Sequence, residues 1–326
     1  MSQEDKVQIL VMLPVKEIHQ KKLEQAAPGA QISYTKPEAI TKEQVHNADI
    51  IIGNVPANLI EGSAKLKWLQ LNSAGTDGYL LSGILPPQAK LTNATGAYGL
   101  AIAEYMMTTL LMMMKKMDRY YINQAQGIWK SEGQIASVYG AKILVVGMGD
   151  IGSEFAKRAY SFGAKIIGVT RTKKECPDYV DQMITSEEMD SMLGEVDVVV
   201  SSLPSSLATY HLFNQKRFHL MKKGCYFVNV GRGNAVDSGA LYEALQTGQL
   251  AGAGVDVTDP EPLPKDHPLW YANNIIITPH ISGFYHLPET FERVMNICVR
   301  NLENYMQGKE LENQVDFETG YRKSKG

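Results

Sequence analysis

Arg232, Glu261 and His280 are the residues whose types could act together, and the chemistry they suit is protonation of a carbonyl oxygen beside a held carboxylate. Arg232 stands between Gly231 and Gly233, just past the apolar run from Cys225 to Val230. A guanidinium there can grip a carboxylate with two parallel hydrogen bonds and polarise an adjacent carbonyl. His280 closes another apolar run, in Thr278-Pro279-His280-Ile281-Ser282-Gly283. Glu261 lies just past Asp256 in the proline-stiffened segment Asp259-Pro260-Glu261-Pro262-Leu263-Pro264, which holds side chains rather than burying them. A carboxylate beside an imidazole favours the protonated ring, so a proton donor is at hand near neutral pH. In the reduction of a ketone, hydride reaches carbon, charge develops on oxygen, His280 delivers the proton and Arg232 stabilises the oxyanion. The remaining histidines, His19, His46, His211, His219, His267 and His286, read as structural.

The hydride needs a carrier, and Ile143 to Thr172 supplies a place for one. Four apolar residues from Ile143 to Val146 run into Gly147, Gly149 and Gly152, the G-x-G-x-x-G register of a dinucleotide turn. The free amides at the start of the following helix, around Asp150 and Ile151, would hold the phosphates. A helix to Phe162, stopped by Gly163, and a second strand from Lys165 to Val169 complete a βαβ unit. Roughly 20 residues past the turn, an NAD-specific site would place a carboxylate for the ribose 2′-hydroxyl. This chain has Arg171, Thr172, Lys173 and Lys174 instead, which points to NADP(H) ahead of NAD(H).

Other elements must bring these groups together. Gly147, Arg171, Pro204, Arg232, Asp256 and His280 each sit at or just beyond the C-terminal end of an apolar run, and in an open α/β sheet those ends line one crevice. Leu203, Pro204, Thr209, Val230, Gly231, Asp256 and Gly283 are the further candidates for coenzyme contact. Ahead of this region, Val7 to Leu13, Gln31 to Tyr34, Asp49 to Gly53, Trp68 to Leu71 and Lys90 to Thr92 alternate with helix-like segments, which predicts another parallel α/β sheet. Thr41 and Gln44 form a capping-box pattern, as do Thr185 and Glu188. Asp237 should cap a helix through Gln246. Small and polar residues at Ser73, Ala74, Gly75 and Thr76 could leave amides open to a substrate carboxylate. A long helix, apolar nearly all round, is expected from Tyr98 to Gln126, its methionines serving packing. Helical spacing from Leu287 to Gln307 leads the chain back to its first lobe. The expected division is 1–98 and 291–326 for a discontinuous substrate-binding domain, and 99–290 for a dinucleotide-binding domain. The polar tail from Arg322 to Gly326 is expected to fray.

A chain of 326 residues has room for two lobes with their own cores. A net charge of −3 suggests no nucleic-acid surface. Cys176, Cys225 and Cys298 lack the spacing of a disulfide frame or zinc site, so a reducing compartment and no metal are expected. The N-terminal stretch lacks a basic n-region, and the apolar run from Gly99 to Met114 falls short of a membrane span, so a cytoplasmic protein without membrane attachment is expected.

The segments GMGDIG, NVGRGNAVDSGAL, GVDVTDPEPLP and TPHISG, in this order, resemble the D-isomer-specific 2-hydroxyacid dehydrogenase family over nearly the whole length. The resemblance implies an α/β fold of two lobes, with a Rossmann-type doubly wound sheet inserted in a smaller flavodoxin-like substrate-binding domain. It implies Arg232 as carboxylate binder, Glu261 as partner of the acid/base His280, Asp256 near the nicotinamide, and backbone contacts to substrate around Ser73 to Thr76. It further implies dimers built on the coenzyme domain and an NAD(P)-dependent D-2-hydroxyacid dehydrogenase acting as a 2-oxo acid reductase. The family's usual acidic residue after the second strand is absent, which puts NAD preference in doubt. Alternatives are a phosphoglycerate dehydrogenase-type enzyme lacking a regulatory domain, since the chain stops soon after Leu302, or a non-enzymatic dinucleotide-sensing corepressor. Formate dehydrogenases resemble a Gln at the position of Glu261. Choice of substrate side chain is expected to fall to Tyr98, Trp129 and Tyr285.

Overall fold

Short runs of β-branched and aliphatic residues, separated by amphipathic helices, build two all-parallel sheets in the computed structural model, which describes residues 6 to 317. The tail from Arg322 to Gly326 lies outside the described residues. The chain divides into two compact units, one running to Tyr98 and resuming at Tyr285, the other Gly99–Phe284.

In the first unit the strands are β1 (Gln8–Val11), β2 (Gln31–Tyr34), β3 (Ile50–Ile52), β4 (Trp68–Gln70) and β5 (Lys90–Thr92), in the order β2-β1-β3-β4-β5. This is the flavodoxin-like order. Between them lie α1 (Glu17–Ala26), α2 (Lys42–Asn47) and α3 (Ala57–Ile60). The Thr41 capping box forms as expected, with Gln44 N–H donating to Thr41 Oγ1 at 3.3 Å and Thr41 N–H to Gln44 Oε1 at 3.0 Å. Asp49, 6% exposed, accepts from the amide of Gln8 at 2.9 Å and so pins the start of β1.

The second unit holds β6 (Lys142–Val146), β7 (Lys165–Thr170), β8 (Gln182–Thr185), β9 (Val198–Ser201), β10 (Cys225–Asn229), β11 (Leu250–Val255) and β12 (Ile275–Ile277). Their order is β12-β11-β10-β9-β6-β7-β8. The sequence leaves β6 toward β7 on one side and returns at β9 on the other, so the strand order reverses there; ligands of open α/β sheets bind outside such a switch point. Val198, Val199 and Val200 are fully buried, as a strand covered on both faces requires. Asp197 repeats the device of Asp49, accepting from the amide of Lys142 at 2.9 Å to pin β6.

Two elements differ from expectation. The helix expected over Tyr98 to Gln126 is two, α4 (Gly99–Met114) and α5 (Met117–Ala125), broken where Lys116 turns left-handed at φ 56°. The buried face belongs to α4 alone: Ile102, Met106 and Leu110 are inside while Glu104 and Thr108 are exposed, whereas α5, carrying Asp118, Arg119, Asn123 and Gln124, buries none of its residues. At Thr185 to Glu188 the box motif closes a turn instead of opening a helix. Thr185 ends β8, donates its amide and hydroxyl to Glu188 Oε2 at 2.8 and 2.9 Å, and α7 (Met189–Met192) begins after it.

α8 (Gln215–Leu220) was not among the expected elements, whereas α6 (Asp150–Ser161), α9 (Ser238–Gln246), capped by Asp237, and α10 (Pro288–Met306) follow the spacing. The last belongs to the first unit. Its buried Asn301 donates to Gln70 Oε1 at 2.8 Å, and Glu292 meets the buried His19 at 2.9 Å.

Candidate active site

The turn after β6 has the shape a pyrophosphate needs. Gly147 has φ 101°, a conformation L side chains rarely adopt. A Cβ on Gly152 would lie 2.1 Å from the carbonyl oxygen of Gly147, so helix and strand can approach only because that residue is glycine. A Cβ on Gly149 would meet nothing within 4 Å, leaving the backbone open above it. The first bond inside α6 is Ser153 N–H to Gly149 O at 3.0 Å, so the N-terminus of the helix opens at this turn, the end at which an anion is favoured. The carboxylate of Asp150 is turned aside, accepting from Gly99 N–H at 2.9 Å at the start of α4. These features fit a dinucleotide.

Arg171 and Thr172 are exposed immediately beyond β7, with Lys173 and Lys174 following and no carboxylate among them. Pro204 is exposed and Leu203 half-buried in the loop after β9. Thr209 is buried, and its hydroxyl lies 2.9 Å from the amide of Ser206 and 2.8 Å from Pro204 O, so it shapes that loop. Val230 and Gly231 are buried where β10 ends; a Cβ on Gly231 would strike Leu203 O at 2.4 Å, which places the two loops in contact.

Arg232 follows directly. The turn that presents it is held by Asn229, fully buried, which donates to Arg232 O at 3.0 Å and accepts from Gly231 N–H at 3.2 Å. One guanidinium nitrogen donates to Gly231 O at 2.9 Å. Gly233 touches the loop beyond β11, since a Cβ there would lie 1.9 Å from Thr258 O. Arg232 and His280 thus leave strands separated only by β11, about 10 Å apart at two strand spacings.

His280 Nδ1 lies 2.7 Å from Glu261 Oε1, both side chains a little under half exposed, at 43% and 44%. Their meeting is a product of fold, because 19 residues separate them. The bond gives Nδ1 the proton-donor role toward the carboxylate and leaves Nε2 for chemistry. His280 has φ 54°, a conformation costing on the order of 1 kcal/mol for a residue with a Cβ. Asp256, 1% exposed at the end of β11, accepts from the amides of Ile281 at 2.9 Å and Ser282 at 3.0 Å. Its carboxylate is therefore engaged by the turn carrying His280, a role that position alone did not signal. Gly283 ends the same turn, half-buried.

In the first unit, Ser73, Ala74, Gly75 and Thr76 form a half-buried loop beyond β4. Ser73 Oγ donates to Gly75 O at 2.7 Å, and Asn93 donates to Ala74 O at 2.7 Å. The amide of Ser73 donates to Asn54 Oδ1 at 3.4 Å, so this loop is held at both its carbonyls and its first amide. Tyr98 and Tyr285 both bind Asn72, the residue before this loop. Tyr98 donates to Asn72 O at 2.5 Å, and the Asn72 amide group donates to the Tyr285 hydroxyl. Burial pushes the Tyr98 hydroxyl up to about 12 and raises that of Tyr285 as well, so both stay protonated. Their hydroxyls brace the loop, a role the sequence did not signal. Trp129 is fully exposed. Of the cysteines, Cys225 and Cys298 are buried thiols pushed up to about 12 by burial, and Cys176 is exposed. No cluster able to hold a metal ion, and no helix long and apolar enough to cross a membrane, is found among the described residues.

Residues 107–282 match the family model described as D-isomer specific 2-hydroxyacid dehydrogenase, NAD binding domain. A glyoxylate/hydroxypyruvate reductase B of Enterobacter sp. (strain 638) is 31% identical over 308 residues, covering 91% of this chain and 94% of the relative. The crystal structure of a D-isomer specific 2-hydroxyacid dehydrogenase family protein from Aeromonas salmonicida subsp. salmonicida A449 is 33% identical, with a TM-score of 0.85 over 96% of this chain and 100% of its own. A D-isomer specific 2-hydroxyacid dehydrogenase from Xanthobacter autotrophicus Py2, solved with NADPH and MES, is 25% identical, with a TM-score of 0.80 over 97% of this chain and 100% of its own. The chain belongs to the D-isomer specific 2-hydroxyacid dehydrogenase family.

Proposed function

We propose that this protein is an NAD(P)H-dependent reductase of small 2-oxo acids, able to run in reverse as a D-2-hydroxyacid dehydrogenase. The observation that carries the reading is the 2.7 Å contact of Glu261 with His280, on a strand end two places from that of Arg232 with β11 between. Gly147, Gly149 and Gly152, with the N-terminus of α6, hold the pyrophosphate. Leu203, Pro204, Val230, Gly231, Asp256 and Gly283 flank the rest of the coenzyme path. When bound, the nicotinamide supplies the hydride.

Arg232 binds the substrate carboxylate bidentately and draws negative charge onto the neighbouring carbonyl oxygen. His280, protonated at both nitrogens, keeps Nδ1–H on Glu261 and gives the Nε2 proton to that oxygen. Glu261 stabilises the cation before transfer and fixes the ring plane.

NADPH is the preferred coenzyme in this reading. Its support is the run Arg171 to Lys174, cationic where a 2′-hydroxyl site would be acidic, and the NADPH carried by the Xanthobacter relative. Glyoxylate and hydroxypyruvate are the first substrates to try, since the Enterobacter relative is named for them. The working unit is a homodimer in the cytoplasm. Tyr121 and Ile122 on α5, with Trp129, Ile135 and Tyr139 after it, are large apolar side chains left exposed, the residue type a second copy covers. Turnover of glyoxylate, hydroxypyruvate, pyruvate and branched 2-oxo acids with each coenzyme tests the proposal. Reduction of at least one, faster with NADPH, supports it, and tight coenzyme binding with no turnover of any contradicts it.

A further inference from the structure

We propose that Tyr105, on α4, is a positioning residue for His280, acting through Thr278 and Asp256; the inference rests on the reading of His280 as the proton donor. His280 occupies a left-handed conformation at φ 54°, and a residue with a Cβ stays there only where its surroundings over-determine it. The restraints come from Asp256. Its carbonyl oxygen accepts from His280 N–H at 2.7 Å. Its carboxylate accepts from Ile281 N–H at 2.9 Å and Ser282 N–H at 3.0 Å on one side, and from the Thr278 hydroxyl at 2.5 Å on the other. One buried side chain thus holds the Thr278 hydroxyl before the histidine and two backbone amides after it.

The Thr278 hydroxyl has a single proton, given to Asp256, so its oxygen can only accept from the Tyr105 hydroxyl 2.5 Å away. Burial raises the Tyr105 hydroxyl above its ordinary value, which keeps that proton in place. The helix behind Tyr105 is itself seated. A Cβ on Gly254 would lie 2.2 Å from Thr109 Cγ2, and one on Gly252 would lie 3.2 Å from Met113 Sδ, so α4 rests in a glycine notch along β11. Tyr105 is one turn ahead of Thr109 on that face and reaches the strand end where Asp256 begins the turn. A seated helix, a tyrosine, a threonine and a carboxylate therefore form one continuous hydrogen-bonded brace against His280.

The test measures kcat, KM and coenzyme Kd for Tyr105→Phe, Thr278→Val, Thr278→Ser and the Phe/Val double variant, using whichever 2-oxo acid is turned over fastest. Each of Tyr105→Phe and Thr278→Val should lower kcat about ten-fold or more, while KM and coenzyme Kd stay within about two-fold. The double variant should be no slower than Thr278→Val alone, because both break one chain, and Thr278→Ser should recover most of kcat. Unchanged kcat in Tyr105→Phe, additive losses, or a loss matched by weaker coenzyme binding would overturn the proposal. His280→Ala in the same series separates two failures. If it abolishes turnover while Tyr105→Phe does not, only the brace is wrong, and if it leaves turnover intact, the proton-donor reading falls and the brace with it.

Discussion

Glu261 Oε1 stands 2.7 Å from His280 Nδ1, and this contact decides which ring nitrogen is left to meet a substrate. With Nδ1 committed to the carboxylate, Nε2 is the only nitrogen that can exchange a proton with a carbonyl or hydroxyl oxygen. Glu261→Gln preserves the size of the side chain but removes the charge that stabilises an imidazolium. Steady-state kinetics should show kcat reduced by roughly 10²-fold, within the usual range for a general acid. A KM effect with unchanged kcat would mean that Glu261 only lines the site.

Arg232 is fixed by a turn whose carbonyl and amide are both bound to Asn229. Arg232→Lys retains a positive charge but loses the planar fork, so a mere point charge should not replace it. The expected outcome is a rise in KM for the 2-oxo acid together with a fall in kcat of about 10²-fold, measured with coenzyme saturating. Near wild-type kinetics in the lysine variant would show that bidentate recognition is unnecessary.

Coenzyme choice is carried by side chains beyond β7. Arg171→Ala should raise KM for NADPH by about ten-fold, the weight of one charge-assisted hydrogen bond of about 1.4 kcal/mol, and leave KM for NADH nearly unchanged. Equal effects on both coenzymes would assign the arginine another task.

Stability should carry a signature of the pinned strands. Burial pushes the Asp49 carboxyl up, but hydrogen bonds from the Gln8 amide and Lys67, with the charge of Lys65, outweigh it and hold the group below the ordinary carboxylate value. Asp197 is lowered in the same way, burial opposed by Lys222 and the Lys142 amide. A lowered folded-state value means stability that is present above the unfolded-state value and lost as pH falls through the folded one. Asp49→Asn should therefore cost about 1 to 3 kcal/mol in urea unfolding at pH 7, and the gap to wild type should close below about pH 4. A gap of constant size down to pH 3 would contradict the assignment.

Much of this architecture was legible because it rests on local patterns. The run into Gly147 and the cap at Asp237 are short-range signals, and each element formed where its pattern stood. The break at Lys116 was not legible, since a left-handed lysine carries no compositional mark and the apolar stripe continues into Met117. β8 was missed because Gln182 to Thr185 is short and only half-buried at the sheet's edge. The site divides along the same line. Arg232, Glu261 and His280 could be named from strand ends and motif order, whereas the bonds from Asp256 to Ile281 and Ser282 join segments 25 and 26 residues apart. The roles of Tyr98 and Tyr285 depend on Asn72, 26 and 213 residues away in the chain. No pattern along the chain encodes such meetings.

The most direct test of the account replaces His280 with alanine and follows a single turnover, with coenzyme Kd measured alongside. If His280 is the proton donor, the variant binds NADPH as tightly as wild type and reduces its 2-oxo acid some 10² to 10⁴ times more slowly. Wild-type turnover in that variant would contradict it outright.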